Sequence, residues 1–254
     1  MTEKICAVDL GMPTLLEAAG AEESAALCAE LGLQFVELNM NLPEYADPAH
    51  MDREKLCALR EKYGVYFTLH LDERLDGCDF EGATIANGKF ENCSFVGANF
   101  SNAGLQGADL RNADLTGIDL RGGNVYSAWL EGARLDGIIQ DESTRYFRLR
   151  CPETGAFIGY KKCYEDRVVM LLIPADAKRV SATNNACRCD KAKVLTITSF
   201  DFTQSYDWAV SLVDENFVYK KGEWMYPDRF TEDRWVGSTY GIHFWMSREE
   251  AIAY

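Results

Sequence analysis

Four cysteines in residues 141–254 have the right chemistry for a metal. Cys187-Arg188-Cys189 is a C-x-C pair, with Cys151 and Cys163 upstream, and four thiolates in a tetrahedron would hold Zn²⁺. C-x-C is not the usual C-x₂-C spacing, and Cys151 and Cys163 stand alone, so buried or half-buried thiols are the expectation. Lys178, Arg179, Arg188, Lys191 and Lys193 form a loose basic cluster near aromatics, a pattern suited to phosphate or to an acidic partner. Asp176 and Asp190 dilute it, which favours a solvated face or an internal contact with the acidic N-terminal segment. His243 alternates with Ile242 and Phe244 as in a strand. No motif brings it a Cys or Ser nucleophile, so a hydrogen-bonded structural histidine is expected. Trp208, Trp224, Trp235 and Trp245, with Tyr219, Tyr226 and Tyr240, could line a groove or fill a small β core. At least half are expected in the core. The chain has no GxxxxGK[ST], HExxH, GxSxG or Rossmann glycine fingerprint, which lowers the case for an enzyme.

These residues need elements to hold them, and 254 residues, 47% apolar and 26% charged, suffice for one large domain or two to three small ones. No apolar run approaches the roughly 18 residues that cross a bilayer, and Met1–Leu10 lacks a signal-peptide pattern. Nine cysteines, odd in number and loosely spaced, read as free thiols. The expectation is a soluble cytoplasmic protein with no membrane contact. Its net charge of −14 is uneven: residues 1–76 carry 15 acidic and 6 basic side chains, 77–140 carry 8 and 4, and 141–254 carry 17 and 16. The first two segments therefore repel phosphate, and nucleic-acid binding could reside only in the third.

The middle segment is decided by a repeat. From Cys78 the chain reads CDFEG, ATIAN, GKFEN, CSFVG, ANFSN, AGLQG, ADLRN, ADLTG, IDLRG, GNVYS, AWLEG and ARLDG, ending at Gly137. The third position is always large and apolar: Phe80, Ile85, Phe90, Phe95, Phe100, Leu105, Leu110, Leu115, Leu120, Val125, Leu130 and Leu135. The first is small except at Ile118, where a widened corner is expected. A period of five fits neither a helix nor a strand, whereas a solenoid turning a corner every five residues keeps those side chains inside. The segment resembles the pentapeptide-repeat family. That resemblance implies a right-handed quadrilateral β-helix of twenty residues per coil, here three coils standing on the order of 15 Å tall. Residues twenty apart would stack, and both ends would need capping by the flanking segments. Some members of that family act as duplex-DNA mimics on topoisomerases, for which three coils interrupted by Lys89, Arg111, Arg121 and Arg134 are too short.

Upstream, ICAVDL (5–10), FVELNM (35–40) and VYFTLHL (65–71) read as strands. AEESAALCAELG and DREKLCALREKYG read as helices, with Leu27 and Leu31 on one face of the first, Leu56, Leu59 and Tyr63 on one face of the second, Asp52 as an N-cap, and Gly32 and Gly64 as stops. This order predicts a parallel β/α unit. VDLGMPTLLE, ELGLQFVELNMNLPEY and YGVYFTLHLDE are similar to the opening of a xylose-isomerase-like TIM barrel. The resemblance implies a metal ligand at His70, with Glu37, Asn39, Asp72 and Glu73 also near strand ends. The repeats begin where the third helix should, and the other histidines are only His50 and His243. A non-catalytic β/α cap over 1–76 is therefore expected, with no cofactor. Zinc or manganese at His70 and Glu37 belongs to the alternative, a sugar-isomerase or AP-endonuclease-like enzyme.

Downstream, RYFRLRC, FIGYKKC, RVVMLLIP and KVLTITSF read as strands, and Ser247 to Glu250 as a capping box opening a short helix. GYKKC, LLIPADAKR, CRCDKAKVL, FVYKKGEWMYPD and GIHFWMSREEA together resemble an uncharacterised domain often fused behind pentapeptide repeats. The reading is thus a β/α cap (1–76), a β-helix (77–140) and a C-terminal β-rich α+β module (141–254), acting as a non-catalytic scaffold for an unidentified protein partner. A nucleic-acid-associated module using residues 178–193 is the further alternative, and the oligomeric state is left open.

Overall fold

The computed structural model describes residues 11–13, 20–39, 53–70 and 74–254. They divide into two compact units, Met1–Glu73 and Arg74–Tyr254. The boundary falls three residues before the expected 76/77, and no boundary separates the β-helix from the C-terminal module.

In the first unit, β1 (Gly11–Pro13), α1 (Ala21–Glu30), β2 (Phe35–Asn39), α2 (Arg53–Tyr63) and β3 (Tyr66–His70) alternate. The sheet runs β1-β2-β3 with both pairings parallel, so the predicted β/α unit is present. Gly32 and Gly64, both at φ +69°, end the two helices in the left-handed conformation a C-terminal glycine supplies. The buried stripe of α1 is Ser24, Ala25 and Cys28, packed on Val36, Leu38 and Val65. Leu31, read on one helical face with Leu27, follows the helix as its C-cap and is exposed. The strand read at 5–10, Asp52, His50, Asp72 and Glu73 lie outside the described residues.

In the second unit the period of five becomes a coil of twenty. Parallel bridges join Asp79 to Asn99, Lys89 to Asp109, Asp109 to Trp129 and the other second-position residues through Asp119 to their counterparts twenty residues on, while Asn124 pairs with Arg145, twenty-one on. The coil starts earlier than the repeats were read, with Arg74 bridged to Ser94, and runs on through Ile139 and Arg145. Each corner is made locally. The first-position N–H of one unit donates to the third-position carbonyl of the preceding one, as in Ala103 N to Phe100 O at 3.0 Å. The fifth position between them has positive φ, as a type II turn demands. This is why that position reads Gly or Asn, from Gly82 (φ 65°) and Asn87 (φ 59°) to Gly137 (φ 67°), with Ser127 (φ 57°) the exception.

First and third positions face inward. Phe90, Phe95, Phe100, Leu105, Leu110, Leu115, Leu120, Val125 and Leu130 are buried, whereas Phe80, Ile85 and Leu135 are half-buried, because terminal rungs have a coil neighbour on one side only. Phe80 and Phe100 stack at 4.8 Å with rings 8° apart. The widened corner expected at Ile118 is not found. Gly117 keeps φ 68°, Ile139 N still donates to Ile118 O at 2.9 Å, and only the turn hydrogen bond lengthens, to 3.3 Å. Ile118 stands below Ile138, and with Phe147 they line an apolar cavity of about 10 Å³ at the C-terminal end of the coil.

That end is capped by the module. In a regular coil Gly107 N donates to Tyr126 O and Trp129 N to Ala108 O. One coil further on, Ser127 N donates to Thr183 O at 2.9 Å and the Thr183 hydroxyl donates to Ala128 O at 2.7 Å. Thr183 thus supplies both the acceptor and the donor that a fourth coil would have brought. Thr144, also buried, donates to Leu120 O at 3.1 Å.

The module is built from β4 (Phe157–Cys163), β5 (Arg167–Ile173), β6 (Arg179–Ser181), β7 (Cys187–Cys189), β8 (Ala192–Ser199), β9 (Trp208–Val210), β10 (Val218–Lys220), β11 (Trp224–Met225), β12 (Ile242–Phe244) and α3 (Arg248–Ala253). The strands form antiparallel sheets β11-β8-β5-β4 and β12-β7-β6 and a β9-β10 hairpin. Tyr160 and Trp245 exchange two 2.8 Å backbone bonds, which join the edge strand β4 to the chain just past β12. Ser247 caps α3 by accepting from Glu250 N, as read from the sequence. The Glu250 carboxylate pairs with Arg150 at 2.6 Å, tethering the helix to the segment that leads into β4.

Candidate functional site

The positions read as chemical candidates separate into several environments. His70 ends β3 opposite Asn39, and Glu37 sits two residues back on β2, opposite Thr68. Three parallel strands bring these positions together, and at Arg74 the chain enters the coil, so the later strands that a barrel would use are absent from the described residues. Among the described residues no three His, Cys, Asp or Glu side chains converge as a metal site would require.

The four C-terminal cysteines are all buried in the core of the module. Ser181 lies opposite Cys187 across β6 and β7, and the Ser181 hydroxyl accepts from Arg150 N at 2.8 Å, which brings Cys151 to Cys187. The two buried thiols hydrogen-bond one another. Cys151 is held below the ordinary thiol range by that bond and by nearby Arg179 and Arg234, while Cys187 is pushed up. Cys163 and Cys189 lie in the same core, and burial pushes each to about 12. With them is a group the sequence reading missed: Lys161, on the inward face of β4, its ammonium 5.9 Å from the buried Tyr219 ring and its pKa lowered by burial. The signal was present, since Lys161 shares strand parity with Cys163.

The basic cluster does not form a cationic surface. Arg179 is buried and donates to the carbonyls of Gly155, Pro174, Ala175 and Ala177. Arg188 is buried and donates to Asp233 O. Lys178 pairs with Glu232 and Lys191 with Asp176, so the acidic partners come from the module itself. His243 is half-buried opposite Arg188; burial first, then the charges of Lys161 and Arg188, lower it to about 4. The aromatics divide as well. Trp245 and Tyr219 are core, Trp235 is half-buried, and Trp208, Trp224, Tyr226 and Tyr240 are exposed. Arg167 lies over the Trp208 ring at 4.4 Å, Lys193 over Trp224 at 5.9 Å and Arg229 over Tyr240 at 5.4 Å.

The most developed surface feature is on the coil. Trp129 takes a second position, where Asp and Asn are common, and stands directly above Asp109 and Lys89. It is 54% exposed. The Arg111 guanidinium lies 4.8 Å from its ring, Lys89 Nζ 5.8 Å. Arg111 is fixed by two hydrogen bonds to Asp109, at 2.8 and 2.7 Å, and lies 3.6 Å from Glu91. Asp109, buried beneath them, is held below the usual carboxylate range chiefly by those Arg111 hydrogen bonds. The result is a rigid aromatic plate with cations on its face. A Trp breaking the Asp/Asn pattern in AWLEG was the sequence signal for it.

Fold and surface together define a short repeat solenoid capped by a β-rich module. Residues 78–117 and 98–137 match the model of the pentapeptide repeats, so the central segment is a pentapeptide-repeat region. Residues 147–251 match a family of unknown function, DUF5758. No curated protein matches the chain. Similar solved structures include HetL, a pentapeptide repeat protein involved in heterocyst differentiation regulation from Nostoc sp. strain PCC 7120 (29% identity, 28% of this chain and 36% of HetL, TM-score 0.17). A pentapeptide repeat protein of the Arabidopsis thaliana thylakoid lumen is 35% identical over 28% of this chain and 57% of its own, with a TM-score of 0.19. Rfr23 of the cyanobacterium Cyanothece 51142 is 17% identical over 53% of this chain and 83% of its own, with a TM-score of 0.20. The chain thus spans about a third of HetL and somewhat over half of the Arabidopsis protein. Among the described residues no helix is long and apolar enough to cross a membrane.

Proposed function

We propose that the protein is a non-catalytic scaffold that engages a protein partner through the coil face carrying Lys89, Arg111 and Trp129. The observation that carries this reading is Trp129, an exposed large aromatic fixed in place by cations that are themselves fixed by Asp109. Rigid Trp and Arg side chains lose little conformational entropy on binding, and they dominate protein interfaces for that reason. The hydrogen bonds of Thr183 and Thr144 to the last coil support a fixed geometry between this face and the module. The eight described cysteines carry free thiols, which supports a reducing, cytoplasmic setting. The parallel β1-β2-β3 sheet supports reading the first unit as a barrel-like β/α segment. The test is affinity capture from the native cell with the wild-type chain and with Trp129→Ala as baits, quantified by mass spectrometry. A protein retained stoichiometrically by the first and lost by the second, both baits melting alike, is the expected result. A partner retained equally by both removes the proposed face from its role.

A further inference from the structure

Between the end of the coil and the module lies a cleft of about 370 Å³, lined by Gln140, Phe147, Arg148, Leu149, Glu153 and Arg234. Its size is that of a small-molecule site, and so is its mixture of apolar walls with a few convergent polar groups. Arg234 is held from behind. Its Nε donates to Ser181 O at 2.8 Å and its Nη2 to Phe147 O at 2.9 Å, and the guanidinium lies 4.2 Å over the Trp235 ring, which itself packs on Phe147 at 5.4 Å. Those two bonds use two of five guanidinium protons. Arg148 is steered by one bond, Nε to Gln140 Oε1 at 2.9 Å, which leaves both of its Nη groups. Neither arginine has a carboxylate within 4.0 Å among the described residues, whereas Arg111, Arg121 and Arg134 on the coil and Arg150 beside the cleft all do. Two guanidiniums that pair with no carboxylate among the described residues thus line the same cleft. One of them, Arg234, is partly desolvated, which lowers its pKa and strengthens its attraction for an anion.

We propose that this cleft binds a small organic anion. Its carboxylate or phosphate would sit between Arg148 and Arg234, its flat apolar body against Phe147 and Leu149, and a hydroxyl or amine on that body would donate to Glu153. Arginine forks match planar and tetrahedral oxyanions alike, so the head group can be either. Inorganic phosphate brings no apolar body to lie against Phe147 and Leu149, so it should bind more weakly than an aromatic acid or ester. The site is separate from the coil face proposed for a protein partner, so either can fail without the other.

The experiment is titration calorimetry of the full chain with 4-hydroxybenzoate, benzoate, phenyl phosphate and inorganic phosphate at low salt, together with ¹⁵N spectra of the Trp235 indole. Binding of 4-hydroxybenzoate or phenyl phosphate at millimolar affinity or tighter is expected. Inorganic phosphate should bind at least about tenfold more weakly, and the Trp235 signal should shift. Arg148→Gln, whose backbone surroundings do not depend on its charge, should weaken binding about tenfold with an unchanged melting temperature. Glu153→Gln should narrow the preference for 4-hydroxybenzoate over benzoate. No binding by either aromatic probe at 10 mM on the millimolar scale used here, or binding indifferent to Arg148→Gln, overturns the proposal. Preferential binding of the phosphate ester over both carboxylates would identify the head group as phosphate.

Discussion

Thr183→Val tests how the solenoid ends. Thr183 is 3% exposed, and its hydroxyl donates to Ala128 O, a carbonyl whose counterparts one coil earlier are satisfied by the next coil's backbone N–H. Valine keeps the shape and the backbone bond from Ser127 N but removes the donor, leaving a buried carbonyl unpaired. That costs about 1–3 kcal/mol. Spread over a unit of this size, the loss should lower the melting temperature by about 2–4 °C per kcal/mol. Thr183→Ser, which retains the hydroxyl, should recover most of it. Hydrogen exchange supplies the local readout: the Ser127 and Trp129 amides at the last coil should lose protection in Thr183→Val while those around Phe95 keep theirs. If Thr183→Val melts with the wild type and leaves the Ser127 amide protected, the hydroxyl is not standing in for a missing coil and the capping argument fails.

Leu110→Ala, at the centre of its stack between Phe90 and Leu130, should cost about 2–5 kcal/mol by urea denaturation. Ile118→Ala should cost a similar amount, because it enlarges the cavity that Ile118 and Ile138 line; increased stability would show that Ile118 is overpacked. Gly122→Ala meets two penalties, φ +71° and the Asn102 Oδ1 only 2.2 Å from the new Cβ. A loss of about 1–3 kcal/mol is expected, partly restored by adding Asn102→Gly. His243 titrates at about 4 in the folded chain against 6.5 unfolded. The unfolded state therefore takes up the proton first, and stability should fall by about 3 kcal/mol as pH drops from 6.5 to 4, then level off. His243→Asn should remove that slope in pH-dependent unfolding curves.

The sequence determined the coil because everything that makes it is local. A large apolar third residue, a small first residue and a Gly or Asn at the left-handed fifth position specify one corner within five residues, and twelve repetitions leave no competing register. The helices and the parallel order of the first unit were legible for the same reason, in stop glycines and helical spacing. Where a residue's meaning depends on a distant neighbour, the sequence was silent. Thr183 looks like any loop threonine until the chain brings it to Ala128, 55 residues earlier. Arg179, Arg188, Lys178 and Lys191 read as a basic patch, because charge is visible in sequence while burial and partners are not. Cys151, Cys163, Cys187 and Cys189 were candidates for a four-thiolate site, but the fold buries all four in one apolar core without bringing three ligands together among the described residues. Trp129 was passed over as one more repeat residue, yet its meaning comes from Lys89 and Arg111, placed beside it by the twenty-residue pitch of the coil. Local backbone preference wrote the architecture into the chain; which side chains meet, and which charges remain unpaired, was decided only when that architecture closed.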